Sequence, residues 1–175
     1  VIVSGALHLD GFLDACDGLF GGWTPEKRLE IMRDKYHGTF ALAGGVILLL
    51  VKFNALITCQ MAPLALILSP MLARWGMSLA IIAFPYQRQQ GTGKAIKDHA
   101  SWKGWWIATI FVLGITTIAS SILGWLALVV VVMVVWGGAK FTLRLIPGLS
   151  GDIYGAINEV AELAVLLTFA AWNTR

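Results

Sequence analysis

Apolar runs long enough to cross a bilayer, about 20 residues each, divide the chain into five full segments and a partial one. Residues 38–59, "GTFALAGGVILLLVKFNALITC", form the first full run, with Lys52 as its only charge. Residues 61–84 form the second, interrupted by Arg74. Residues 105–122 and 125–146 form the third and fourth, with a short uncharged turn near residue 124. Residues 152–172 form the fifth and carry Asp152, Glu159 and Glu162. The opening segment 1–20 reads as the C-terminal part of another helix. Pro63, Pro70 and glycine-rich points soften the helix boundaries. The pattern predicts an all-α fold: a polytopic integral membrane helical bundle of about five full transmembrane helices plus a partial N-terminal one. Residues 1–175 read as a single membrane-embedded domain.

Composition agrees. The hydrophobic fraction is 58% and the charged fraction 13%, against roughly 45–50% and about 25% in soluble domains. The net charge of +3 is clustered. Loop 23–37 holds Lys27, Arg28, Arg33 and Lys35, and loop 85–104 holds Arg88, Lys94, Lys97 and Lys103. The turns near residues 60 and 124 hold no charge. The positive-inside rule places both basic loops in the cytoplasm, so the charge reads as topology rather than nucleic-acid binding. The opening helix then reaches the cytoplasm at Gly21, and the last helix leaves it after Gly151. Cys16 and Cys59 form no CxxC pair and read as buried structural thiols. No signal-peptide pattern is present. The chain opens on Val1-Ile2-Val3 inside an apolar run without a Met, so upstream sequence is expected to be missing.

The candidate chemistry lies in "GALHLDGFLDACDGLFGG", residues 5–22. Asp10, Asp14 and Asp17 stand at i, i+4 and i+7, one face of a helix. Asp152, Glu159 and Glu162 stand at i, i+7 and i+10, again one face. The topology brings the two clusters to similar depth, with Gly11, Gly18, Gly151 and Gly155 offering no side chains in the way. Carboxylates in apolar surroundings need a cation. Hard dications such as Mg²⁺ take carboxylate oxygens and share their remaining positions with water and substrate phosphates. A buried Asp–Arg or Asp–Lys network is the competing reading, but six acids exceed what one mid-span arginine can pair. His8 reads as a hydrogen-bonding group near the metal, and His37 and His99 as solvated loop residues. Arg74, too costly to leave unpaired at mid-span, is expected to face the bundle interior and meet an acid or a phosphate. Lys52 reads as snorkelling to a nearby helix end. "QGTGKA", residues 90–95, fails as a P-loop because Arg88 and Ala95 occupy the required Gly and Ser/Thr places. It leaves a flexible glycine loop with Lys94. "SWKGWW", residues 101–106, reads as an interfacial aromatic anchor.

Residues 5–41, "GALHLDGFLDACDGLFGGWTPEKRLEIMRDKYHGTFA", closely resemble the signature of the cobalamin-5′-phosphate synthase family. "SPMLARW", residues 69–75, and "GLSGDIYGAINEVAELAVLL", residues 148–167, resemble its later blocks in the same order. The resemblance covers essentially the whole chain. It implies a Mg²⁺-dependent multi-pass enzyme of the bacterial or archaeal cytoplasmic membrane, surrounded by lipid, with its site facing the cytoplasm. Its substrates would be adenosylcobinamide-GDP and α-ribazole or α-ribazole 5′-phosphate. A ribose hydroxyl would attack the cobinamide-proximal phosphorus and GMP would leave, giving adenosylcobalamin or its phosphate. Asp10, Asp14 and Asp17 fall in the first signature, and Asp152, Asn158, Glu159 and Glu162 in the last. Asp10, Asp14, Asp17 and Asp152 are then the expected catalytic residues and, with Glu159 and Glu162, the expected metal ligands. His8, Arg74, Lys94 and Asn158 are the expected substrate contacts. Family members carry further hydrophobic sequence before the signature, which this chain lacks. Two alternatives stand beside this reading. One is a CDP-alcohol phosphatidyltransferase, disfavoured because Ala15-Cys16 stands where that motif has an Arg. The other is a cation transporter using intramembrane acids.

Overall fold

A computed structural model describes residues 5–59, 62–87 and 92–172. The turn at residue 60 and Arg88 of the second basic loop lie outside the described residues. Among the described residues seven helical elements follow one another: α1 (Leu7–Gly21), α2 (Pro25–Ile31), α3 (Thr39–Thr58), α4 (Ala62–Ala83), α5 (Thr92–His99), α6 (Trp102–Leu143) and α7 (Gly151–Trp172). Among the described residues there is no strand, only an isolated bridge between Tyr86 and Leu149. Five stretches of the described residues are long and apolar enough to cross a membrane: Thr39–Thr58, Pro63–Ala83, Trp102–Ala119, Ile122–Leu143 and Gly151–Trp172. Leu50, Phe53, Ile110, Phe111, Ile118 and Met133 point outward and are exposed, as expected where lipid rather than water surrounds the bundle.

The third and fourth expected spans share one helical element. Straight, the 42 residues of α6 would reach about 63 Å, twice the hydrocarbon thickness. They are not straight. The indole N–H of Trp75 on α4 donates to Thr109 Oγ1 at 2.9 Å. A side chain at the adjacent Gly76 would collide with Val131. Thr109 and Val131 would be about 33 Å apart on a straight helix, so the axis turns back between them and both limbs pack on α4. No loop residues are spent on the reversal.

The opening helix is shorter than a span. At 15 residues, α1 reaches about 22 Å. It crosses the start of α7, which packs against α1, α3, α4 and α6 and so forms the centre of the bundle. Paired glycines set that crossing. A Cβ on Gly11 would sit 3.0 Å from the Asp152 Cα, and one on Gly155 would sit 2.9 Å from the His8 carbonyl oxygen. Small residues permit this backbone approach.

Both basic loops lie at one end. Arg28 on α2 donates from Nε to the Leu19 carbonyl at 3.2 Å and from Nη1 to the Leu145 carbonyl at 3.4 Å. Gln87 N donates to Leu149 O at 2.8 Å, and Leu149 N to Pro85 O at 2.8 Å. Segments 22–37, 85–87 and 144–150 therefore meet. In the second loop, Lys97 Nζ donates to the carbonyls of Ile81, Ile82 and Phe84 and closes the C-terminus of α4. Burial, with Lys94 beside it, holds that ammonium below the ordinary lysine range. Cys16 and Cys59 are buried free thiols. Cysteines placed at the exposed Lys35 and Lys103 are thus expected to label from the same side of the membrane against a low background. Labelling from opposite sides would overturn the shared end.

Candidate active site

A cavity of about 230 Å³ opens between α1, α4, α5 and α7 at the end where the basic loops meet. His8, Asp10 and Gly11 line it from α1, and Asp152, Tyr154 and Gly155 from α7. The glycine crossing explains the convergence: it brings the first turns of two helices from opposite ends of the chain into backbone contact. A larger cavity of about 550 Å³ lies between α1, α3, α6 and α7, lined by residues such as Phe12, Leu48, Phe141 and Ile157. Among the described residues Cys16 is its only titratable lining residue, whereas two carboxylates and an imidazole line the smaller one.

Asp10 and Asp14 flank an imidazole. His37 Nε2 lies 3.8 Å from Asp10 Oδ1, and His37 Nδ1 lies 3.5 Å from Asp14 Oδ1. Asp17 fixes this arrangement. One of its oxygens accepts from Gly38 N, and Oδ1 accepts from Ala41 N at 2.8 Å. The carboxylate thereby caps the start of α3, and its grip on Gly38 presents His37 to the same face of α1. On α7, Ser150 is fully buried and its hydroxyl donates to Asp152 Oδ2 at 3.3 Å. The Ser150 hydroxyl oxygen in turn accepts weakly from Ile153 N at 3.4 Å, so Ser150 both caps α7 and orients Asp152.

The cobalamin-5-phosphate synthase family model matches residues 1–170. The chain belongs to this family. The adenosylcobinamide-GDP ribazoletransferase of Desulfitobacterium hafniense (strain Y51) is 34% identical over 181 residues, covering 95% of this chain and 68% of the relative. The enzyme of that name from Pseudomonas fluorescens is 36% identical over 178 residues, covering 97% and 71%. That of Pseudomonas paraeruginosa is 39% identical over 176 residues, covering 97% and 70%. No solved structure matches the chain. As a member of the cobalamin-5-phosphate synthase family, the chain is a multi-pass membrane enzyme of cobalamin biosynthesis. The phosphatidyltransferase and transporter alternatives fall away.

In this cobalamin-5-phosphate synthase chain the six expected metal carboxylates divide into three groups. Asp10, Asp14 and Asp152 stand at or beside the cavity. Asp17 is engaged by the backbone of α3. Glu159 and Glu162 receive Lys52 Nζ at 2.5 and 3.2 Å, with all three side chains largely buried. Lys52 therefore does not snorkel; it sits inside the bundle as the counter-ion of α7. Arg74 departs from its expected place too. It is exposed, and Nη1 donates to the carbonyl of Pro70 on its own helix at 3.0 Å. Lys94 lies on α5 rather than in a flexible loop and pairs with Asp98 one turn on. His8 does line the cavity. Asn158 does not: it is fully buried one turn beyond Tyr154, and among the described residues neither amide atom has a partner. His37 and Ser150 are the site neighbours the sequence reading missed. The only local hint of the first is the His-Gly pair just before α3.

Among the described residues, no three His, Cys, Asp or Glu side chains are arranged as a closed metal cage. Mg²⁺ does not need one, because it commonly takes one or two carboxylates and completes its shell with waters and phosphates. Asp10 from α1 and Asp152 from α7 line one cavity, with Asp14 a turn away from Asp10, and are all-oxygen donors of the kind that suits such an ion. The assignment of Asp17 to α3 has a consequence for stability. Asp17→Asn loses an anionic acceptor of two backbone N–H groups and is expected to cost about 1–3 kcal/mol. Thermal unfolding in detergent would read this as a lowered midpoint with an unchanged Mg²⁺ requirement. A changed Mg²⁺ requirement at an unchanged midpoint would return Asp17 to the metal set.

Proposed function

We propose that the chain acts as an adenosylcobinamide-GDP ribazoletransferase, with the reacting diphosphate held in the cavity between α1 and α7. The acceptor is α-ribazole or its 5′-phosphate, a hydroxyl of which replaces GMP on the cobinamide-proximal phosphorus. The observation that carries this reading is the convergence of Asp10 and Asp152 on one cavity, within a chain whose relatives bear that enzyme name. Asp10 and Asp152, with Asp14 beside them, would hold Mg²⁺. When bound, the ion would offset charge on the attacked phosphate and the departing GMP.

The chain's own residues prepare the site. Ser150 fixes the rotamer of Asp152 through its hydroxyl. His37 faces both Asp10 and Asp14, with a ring nitrogen 3.8 Å from the first carboxylate and the other 3.5 Å from the second. The cavity is smaller than the ~300–1,000 Å³ of pockets that enclose drug-sized ligands, so it admits the diphosphate and its adjoining sugar while the corrinoid stays outside. The site faces the cytoplasm of a bacterial or archaeal cell, where the basic loops retain that end. Residues 1–175 act as one membrane-embedded catalytic domain.

The test is GMP release by the purified protein in detergent, given adenosylcobinamide-GDP, α-ribazole or its phosphate, and Mg²⁺. Turnover that a chelator abolishes and Mg²⁺ restores is expected. Release of GMP at the same rate with chelator present would remove the ion from the reading. No release with either acceptor would remove the reaction.

A further inference from the structure

Tyr154 sits in the first turn of α7 and lines the same cavity as Asp10 and Asp152. It is only 3% exposed, and among the described residues its hydroxyl has no hydrogen-bond partner. That is unusual, because a buried tyrosine hydroxyl generally finds one, and leaving it unmade costs about 1–3 kcal/mol. The ring cannot swing away to find water. It stacks on Tyr86 with centroids 5.8 Å apart and planes 24° apart. Tyr86 is itself fixed by the hydrogen bonds that Pro85 and Gln87 make with Leu149. A phenylalanine would fill the same stack without a stranded polar atom, so packing explains the ring and leaves the hydroxyl unexplained.

We propose that the Tyr154 hydroxyl, together with the N-terminus of α7, binds the phosphate oxygens of the diphosphate substrate. This rests on the reaction assigned above and names a residue and an atom for it. The first N–H groups of a helix have no acceptor within it; in α7 the Ser150 hydroxyl oxygen takes that of Ile153, and the helix dipole favours an anion at the same end. Among the described residues there is space for one: a Cβ on Gly151 would meet no atom within 4 Å. Phosphate oxygens only accept hydrogen bonds, and a neutral phenol can donate to them without adding charge. A cation such as lysine at this position would instead compete with Mg²⁺ for Asp10 and Asp152. The hydroxyl makes no covalent bond and takes no proton; it holds the diphosphate while the acceptor attacks.

Tyr154→Phe separates this role from a structural one, because the two predict opposite changes. Removing a buried hydroxyl without a protein partner should leave the thermal midpoint of the substrate-free protein unchanged or raise it. Removing a donor to a charged phosphate should weaken binding about tenfold or more. Inorganic pyrophosphate with Mg²⁺ is the probe, measured by isothermal titration on wild-type and Tyr154→Phe protein in detergent, alongside kcat/KM for adenosylcobinamide-GDP. The expected result is an unchanged or higher midpoint, weaker pyrophosphate binding and a reduced kcat/KM. Unchanged pyrophosphate affinity overturns the proposal, whether or not the midpoint falls. The titration needs no turnover. If the wild type binds pyrophosphate more tightly than Tyr154→Phe yet releases no GMP, the phosphate site stands and the assigned reaction fails.

Discussion

Asp152→Asn and Asp10→Asn, each in purified protein, are expected to reduce GMP release by about a hundredfold or more. The amide keeps the size of the carboxylate and removes its charge. A group that acts through a metal ion on charge developing at phosphorus contributes several kcal/mol, and each 1.4 kcal/mol is about tenfold in rate. Folding should suffer little. Asp10 is largely exposed, and at Asp152 the Ser150 hydroxyl can still donate to an amide oxygen. Raising Mg²⁺ should recover part of the lost rate in whichever variant only weakens ion binding. The comparison that gives these variants meaning is Asp17→Asn, predicted to lose stability and keep its Mg²⁺ requirement. If the Asp10 and Asp152 variants both turn over at the wild-type rate with the wild-type Mg²⁺ requirement, the cavity between α1 and α7 is not where the chemistry occurs.

The spans of α3, α4 and α7 were legible because an apolar run of about 20 residues admits few other readings. The reversal within α6 was legible only as a need to turn near residue 124. An uncharged stretch of chain does not say whether it turns through a loop or through helical backbone. The carboxylates show where face arithmetic stops. Asp10, Asp14 and Asp17 do share a face, but i to i+7 is about 10.5 Å along the axis. Over that length the neighbour changes from α7 to the start of α3, so Asp17 meets Gly38 and Ala41 while Asp10 meets the cavity. Along α7 the same distance separates Asp152 from Glu159, enough to pass from α1 to Lys52. Periodicity assigns a residue to a stripe; which helix covers each turn of the stripe is tertiary information. His37 was invisible for the same reason, since its position follows from where Asp17 grips the next residue.

Lys52→Met is expected to be the most destabilising single substitution among these groups. It strands Glu159 and Glu162 in the bundle, where their present partner lies at 2.5 and 3.2 Å and the side chains are 9% and 24% exposed. Removing one member of a buried ion pair typically costs about 3–5 kcal/mol, because the remaining charge has lost its solvent without keeping its counter-charge. Against a total stability of roughly 5–15 kcal/mol, that is enough to lower the thermal midpoint by on the order of 10 °C and to reduce the folded yield. The decisive variant is the triple change Lys52→Met, Glu159→Gln, Glu162→Gln. Neutralising a whole buried ionic cluster is often nearly free even where breaking it is severe, so the triple variant should recover most of the lost midpoint. Because the triad lies deeper along α7 than Asp152, GMP release should stay within a few-fold of wild type, with the same Mg²⁺ requirement. A triple variant that folds but loses turnover or its response to Mg²⁺ would place Glu159 and Glu162 back among the metal ligands. A single Lys52→Met that unfolds no more easily than wild type would show that the two glutamates have another partner.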